Sequence, residues 1–131
     1  MTHFMVLPKI MRNKVLNLDR TFELLLSFGF SQTEARIYLH LVSKGPAKAR
    51  DIIDTLDLNK QQLYRSLKKL RQRRIVDCLG SPAIFNAEPV EQVLIMLTNK
   101  KREEAELIEE RKADLLSTWK SFNMKKNGKD Q

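Results

Sequence analysis

Asn59-Lys-Gln-Gln-Leu-Tyr-Arg-Ser-Leu-Lys-Lys-Leu-Arg-Gln-Arg-Arg74 carries seven basic residues and no acidic one. Leu63, Leu67 and Leu70 recur at i, i+4 and i+7, the spacing of one narrow helical stripe. The stripe leaves Lys60, Gln61, Gln62, Arg65, Ser66, Lys69 and Arg73 to point away from it. A helix with one apolar seam and a cationic, amide-bearing outer face is shaped to lie against a polyanion. The 131-residue chain has a net charge of +8, and residues 59–74 alone contribute +7. Solvated helix faces usually mix both signs, so the single sign is what needs explaining.

Upstream, Ala49, Ile52, Ile53 and Leu56 fall at i, i+3, i+4 and i+7, which predicts a short helix. Asp57-Leu58-Asn59 then makes a tight turn, and Asn59 can cap the basic helix, with Gln62 completing a capping box. A short helix, a tight turn and a basic helix form a helix-turn-helix, with Asn59–Arg74 as its recognition helix. Ser31-Gln-Thr-Glu34 is another capping box, preceded by Phe30, where a hydrophobic staple to Ala35 would sit. It opens a helix reaching about Lys44 that is apolar on more than one face (Ala35, Ile37, Tyr38, Leu39, Leu41, Val42) and so belongs at the centre of a core. Phe22, Leu25 and Leu26 predict a further helix over Asp19–Phe28, stopped by Gly29. Residues 1–18 read as an N-terminal arm or a short helix, with Lys9, Arg12 and Lys14 also compatible with a tail grazing DNA.

Downstream the period changes. Val76 and Cys78, then Ile84 and Phe85, flank Gly80-Ser81-Pro82 and predict a two-stranded hairpin, a wing directly after the recognition helix. The expected fold is mainly α with a small β-hairpin (α+β): a winged helix-turn-helix over residues 19–88. From Pro89 the sequence is helical again without a breaker until Gly128. Leu94, Leu97, Ala105, Ile108, Leu115, Trp119 and Phe122 mark an apolar seam over residues 89–124, interrupted by Lys101 and Lys112. A solvated tail is one reading of this helix. The other, which we adopt, is a homodimerisation helix pairing with its own copy. Residues 125–131 are expected as a disordered tail.

Several classes are excluded. The single cysteine, Cys78, rules out a disulfide framework and a cysteine-based zinc site. No run of apolar residues is long enough to span a membrane, and the N-terminus lacks the layout of a signal peptide, so a cytoplasmic protein is expected. His3 and His40 are the only histidines, and no carboxylate pair, nucleophile elbow or phosphate-cradling glycine loop appears. We expect neither an enzyme nor a cofactor or metal. The glutamates at 103, 104, 106, 109 and 110 read as a solvated helix flank.

The expected partner is double-stranded DNA. Lys60, Gln61, Gln62, Arg65 and Ser66, in the first two turns of the recognition helix, are candidate base contacts, since Gln pairs bidentately with adenine and Arg with guanine. Lys48, Arg50, Lys68, Lys69, Arg71, Arg73 and Arg74 are candidate phosphate contacts, which position without specifying. Tyr64 reads either as a phosphate donor or as a packed aromatic. Two alternatives to a site-specific dimeric regulator stand beside it. One is a sequence-tolerant architectural DNA coater; the other is a winged helix used as a protein–protein module of the transcription machinery.

Leu26-Ser-Phe-Gly-Phe-Ser-Gln-Thr-Glu-Ala-Arg-Ile-Tyr-Leu-His-Leu41 resembles the opening of the TrmB-like archaeal regulators, in which a Gly-Leu-Thr-x-x-Glu-Ala-x-x-Tyr pattern leads into a central helix. Gly45-Pro-Ala-Lys-Ala-Arg-Asp-Ile-Ile53 is similar to their Gly-Pro-x-x-Ala-x-x-Ile segment. Leu63-Tyr64, Leu67, Leu70 and Ile75-Val76 fall where that family keeps its recognition-helix apolar residues and first wing strand. The resemblance spans roughly residues 20–120, and the wider MarR-type group of dimeric winged helices shares the architecture. It implies a transcriptional regulator. The chain departs from the family in three places. It ends before the C-terminal sugar-binding domain of many members could fit, so sugar sensing is not carried over. Its wing residues Ser81-Pro-Ala-Ile-Phe85 lack the family's usual basic side chains. Asp57 stands where the family often has glycine, and Asp tolerates the left-handed conformation.

Overall fold

A computed structural model describes the backbone of residues 9–128 and the side chains of residues 18–125. Its elements follow in the order α1 (Lys9–Ser27), α2 (Gln32–Lys44), α3 (Ala49–Leu56), α4 (Lys60–Gln72), β1 (Val76–Leu79), β2 (Ile84–Ala87) and α5 (Val90–Gly128). The chain divides into two units, residues 1–93 and residues 94–131.

The core of the first unit forms around α2, whose Ala35, Ile37, Tyr38 and Leu41 are all buried. Leu25 of α1, Ile52 of α3, Leu63, Leu67 and Leu70 of α4, and Ile75, Val76 and Phe85 are buried with them. Tyr38 takes its hydroxyl into this core, where an unpaired O–H would be costly. It donates to the Glu88 carbonyl at 2.7 Å, and its ring meets Phe30 edge-on at 6.3 Å. Burial, with the Glu88 carboxylate adding to it, raises the phenol pKa well above its ordinary value.

Both expected capping boxes form. Ser31 Oγ accepts from the Glu34 N–H at 3.0 Å, and the Glu34 carboxylate accepts from the Ser31 N–H at 3.3 Å. Asn59 Oδ1 accepts from the Gln62 N–H at 2.7 Å, and Gln62 Oε1 accepts from the Asn59 N–H at 3.1 Å. Each cap is worth ~1 kcal/mol. Phe30 and Ala35, the expected staple pair, are both buried.

The α3–α4 turn depends on Asp57, which adopts φ 54, ψ 53 at the end of α3. A short polar side chain accepts this left-handed conformation more readily than a branched one. Leu58 is buried beside it, and Arg36 Nη2 donates to the Leu56 carbonyl at 2.8 Å, covering one of the acceptors orphaned at the end of α3. Nothing local in the sequence signals that long-range cap.

The hairpin is antiparallel, with Val76 opposite Ala87, Asp77 opposite Asn86, Cys78 opposite Phe85 and Leu79 opposite Ile84. Gly80, at φ +81, supplies the turn. A third segment joins it: Ala47 donates to the Phe85 carbonyl at 3.0 Å and accepts from the Phe85 N–H at 2.8 Å. A one-residue bridge has no period to read, so the sequence did not disclose it. It anchors the hairpin to the loop between α2 and α3.

Two expectations need correction. The first helix begins at Lys9, well upstream of Asp19: residues 9–18 contain no glycine or proline to break it. Residues 1–8 of the expected arm lie outside the described residues. The expected tail at 125–131 is helical as far as Gly128, and residues 129–131 lie outside the described residues.

In the second unit α5 is a solvated helix with an open apolar stripe. Ile108, Leu115, Trp119 and Phe122 are 63%, 64%, 61% and 58% exposed, and the rings of Trp119 and Phe122 stack at 5.8 Å. Lys101–Glu104 and Lys112–Glu109 are ion pairs at 3.9 Å with i, i+3 spacing. Ala105 is exposed, Leu94 is half-buried, and Leu97 is buried. Leu97 therefore does not belong to the open seam.

Candidate nucleic-acid interface

The covered side of α4 consists of Leu63, Ser66, Leu67 and Leu70, the i, i+3, i+4, i+7 set of one helical face. Lys60, Gln61, Gln62, Tyr64, Arg65, Lys68, Lys69 and Arg71 are exposed on the other side. Among the described residues the ion pairs lie on α5 alone, so the cations of α4 keep their charge unmatched. Such a face gains from neutralising phosphates and releasing their counterions.

Two clefts flank α4. One, of about 570 Å³, separates it from the hairpin and is lined by Tyr64, Lys68 and Arg71 over a floor of Leu67, Val76 and Phe85. Tyr64 is 51% exposed at this cleft, which decides against a packed aromatic. The other, of about 250 Å³, faces the start of α2 and brings Arg65, Ser66 and Lys69 to Ser31, Thr33 and Glu34. Lys48 and Arg50 are exposed around the start of α3.

Three predicted contacts are occupied otherwise. Ser66 is only 7% exposed, because it sits on the apolar face between Leu63 and Leu70. Arg73 continues that face by one turn. Its guanidinium lies 4.5 Å from the centroid of the Phe30 ring, and Nη2 donates to the Phe28 carbonyl at 3.3 Å. It pins the end of α4 to the α1–α2 loop. Gln62 is exposed, but its Oε1 is engaged in the capping box; bidentate pairing with adenine needs both that oxygen and the amide nitrogen. Arg74 is exposed with φ 60, at the reversal that lets Ile75 donate to the Leu70 carbonyl at 2.9 Å.

The family model described as "Sugar-specific transcriptional regulator TrmB" matches residues 24–91, from the end of α1 through the hairpin to the first turn of α5. The chain belongs to the TrmB family. It is thus a DNA-binding transcriptional regulator of winged-helix build, and the helices and hairpin described above are the part the family model covers. Among solved structures it is similar to a MarR family transcription regulator, at 16% identity and a TM-score of 0.48, over 88% of this chain and 79% of that one. No curated protein matches it.

The rest of the surface offers little chemistry. His40 is partly buried, and burial with neighbouring Lys44 holds its pKa below the usual histidine value, against a smaller opposing effect of Asp51. Among the described residues no group of His, Cys, Asp and Glu could hold a metal ion. No described helix is long and apolar enough to cross a membrane.

Proposed function

We propose that the chain acts as a homodimeric, site-specific regulator that inserts α4 into the major groove of duplex DNA. The unmatched cationic face of α4, presented behind a capped helix-turn-helix, is the observation that carries this reading. Lys60, Gln61 and Arg65 occupy the first two turns and reach base edges. Tyr64, Lys68, Lys69, Arg71 and Arg74, with Lys48 and Arg50 at the start of α3, take phosphates. Gln62 and Ser66 are withdrawn from the base-reading set, and Arg73 from the phosphate set, for the reasons of geometry given above. The exposed stripe of α5 supports self-association. Two copies of α4 then address half-sites about 34–36 Å apart, one turn of DNA.

Selection of bound sequences from a random duplex pool, read with the mass in solution, tests the proposal. A palindromic consensus and a dimer mass are expected. Binding without enrichment would instead make the chain an architectural DNA coater.

One observation favours a protein-binding role for the hairpin. Leu79 and Ile84, paired across its strands, are 59% and 37% exposed, and no basic residue lies between them. A wing of this composition suits an apolar partner better than a phosphate. The double change Lys60→Glu with Arg65→Glu separates the roles, abolishing DNA retardation while sparing a protein contact made by the hairpin.

A further inference from the structure

We propose that α5 pairs antiparallel with α5 of a second copy of this chain, in a single register centred between Ala113 and Asp114. This rests on the reading that α5 is a self-association helix, and adds its direction and alignment.

The exposed stripe follows a heptad. Ala105, Lys112 and Trp119 hold one core position (a); Lys101, Ile108, Leu115 and Phe122 hold the other (d). All seven side chains are exposed, so a second helix can cover them. Charges flank the seam: Glu104, Arg111 and Lys125 at g, Arg102 and Glu109 at e.

A parallel pair sets each core residue against its own copy. Lys112 would meet the partner's Lys112, Lys101 the partner's Lys101, and Glu104 the partner's Glu109 twice over. Like charges at core and flanking positions oppose that arrangement.

An antiparallel pair sets a against d, and g against g. Centred between Ala113 and Asp114, it seats Trp119 on the partner's Ile108, Phe122 on the partner's Ala105 and Leu115 against the stem of the partner's Lys112. Each layer occurs twice by symmetry. An aromatic ring, Phe122, thus falls over the smallest side chain, Ala105, and Glu104 meets the partner's Lys125 twice by symmetry. The stacked Trp119 and Phe122 rings form one continuous surface for this contact. Lys101 falls opposite position 126, a lysine in the sequence, in the outermost layer of the pairing.

Sliding one heptad either way is worse. One slide brings Glu109 against the partner's Glu109 and Arg111 against the partner's Arg111; the other brings Arg111 against the partner's Lys125.

Cross-linking of the full chain tests direction. Cys78 is the only native cysteine, so C78S gives a clean background. With a short bis-maleimide, A105C/F122C should form a covalent dimer. A105C alone and F122C alone should not, because identical positions lie about 17 residues, or ~25 Å, apart along the helices. Efficient cross-linking of either single variant would show a parallel pair and overturn the inference. A dimer in which none of the three variants cross-links would also overturn it.

Sedimentation supplies a second readout that leaves the apolar seam intact. E104K should weaken the dimer about two- to tenfold by opposing Lys125, and E104K/K125E should restore it. Tightening by E104K would contradict the inference, since in a parallel pair it relieves the clash with Glu109. A wild-type monomer would defeat the self-association reading itself, whereas a dimer with the parallel pattern defeats only direction and register.

Discussion

The helices α4 and α5 are both amphipathic and rich in charge, yet they stand in opposite conditions. On α4 the apolar seam is covered, Leu63 and Leu70 being fully buried, while the charge is of one sign and unmatched. On α5 both signs occur with ion pairs between them, while Ile108, Leu115, Trp119 and Phe122 stay open. What is left unsatisfied indicates what the surface awaits. Unmatched cations call for a polyanion, and uncovered apolar side chains call for another apolar surface.

This contrast can be broken most sharply on α4. Lys60→Glu with Arg65→Glu should lower affinity for a cognate duplex by about two to four powers of ten, at ~1–3 kcal/mol per base contact, and leave the oligomeric state unchanged. Fluorescence anisotropy and sedimentation on the same samples would check both halves. Trp119→Ser with Phe122→Ser should do the reverse. The dimer should fall to monomer, and binding to a two-half-site duplex should weaken at least about tenfold as the second half-site is lost, while binding to a single half-site changes little.

Smaller effects sharpen the comparison within α4. Asn59→Ala removes the cap and should cost ~1 kcal/mol in denaturant unfolding, with a further loss of binding because the first turn carries Lys60 and Gln61. Ser66→Ala should be neutral to stability or stabilising by up to ~1 kcal/mol, since the hydroxyl is buried and makes no hydrogen bond among the described residues. DNA affinity should not move. A clear loss of binding in Ser66→Ala would return Ser66 to the base-reading set.

Much of the fold was legible because its punctuation is local. The boxes Ser31/Glu34 and Asn59/Gln62, the apolar period of Ala49–Leu56 and the turn at Gly80 each lie within a few residues, and each placed a boundary correctly. The upstream start of α1 was missed because a helix that runs through Asp19 from Lys9 leaves no local mark there. The Ala47 bridge was missed because its partner, Phe85, is distant in sequence. In the site, a stripe drawn through leucines alone left Ser66 and Arg73 facing outward. Both in fact continue the 63, 66, 67, 70, 73 face, and the full set of helical spacings would have turned them inward. The commitment of Gln62 was half legible: its box was visible, but the consequence for pairing with adenine follows only once the 3.1 Å bond occupies its oxygen.

The central claim is that the unmatched charge of α4 binds duplex DNA, and a salt titration of affinity tests it most directly. With six to ten phosphate contacts per complex, affinity should fall ~10³–10⁵-fold between about 50 and 200 mM salt. The slope of log K against log salt should shrink by about one for each α4 lysine or arginine changed to alanine that had met a phosphate. A flat salt response, with the slope unmoved by Lys68→Ala or Arg71→Ala, would contradict the account.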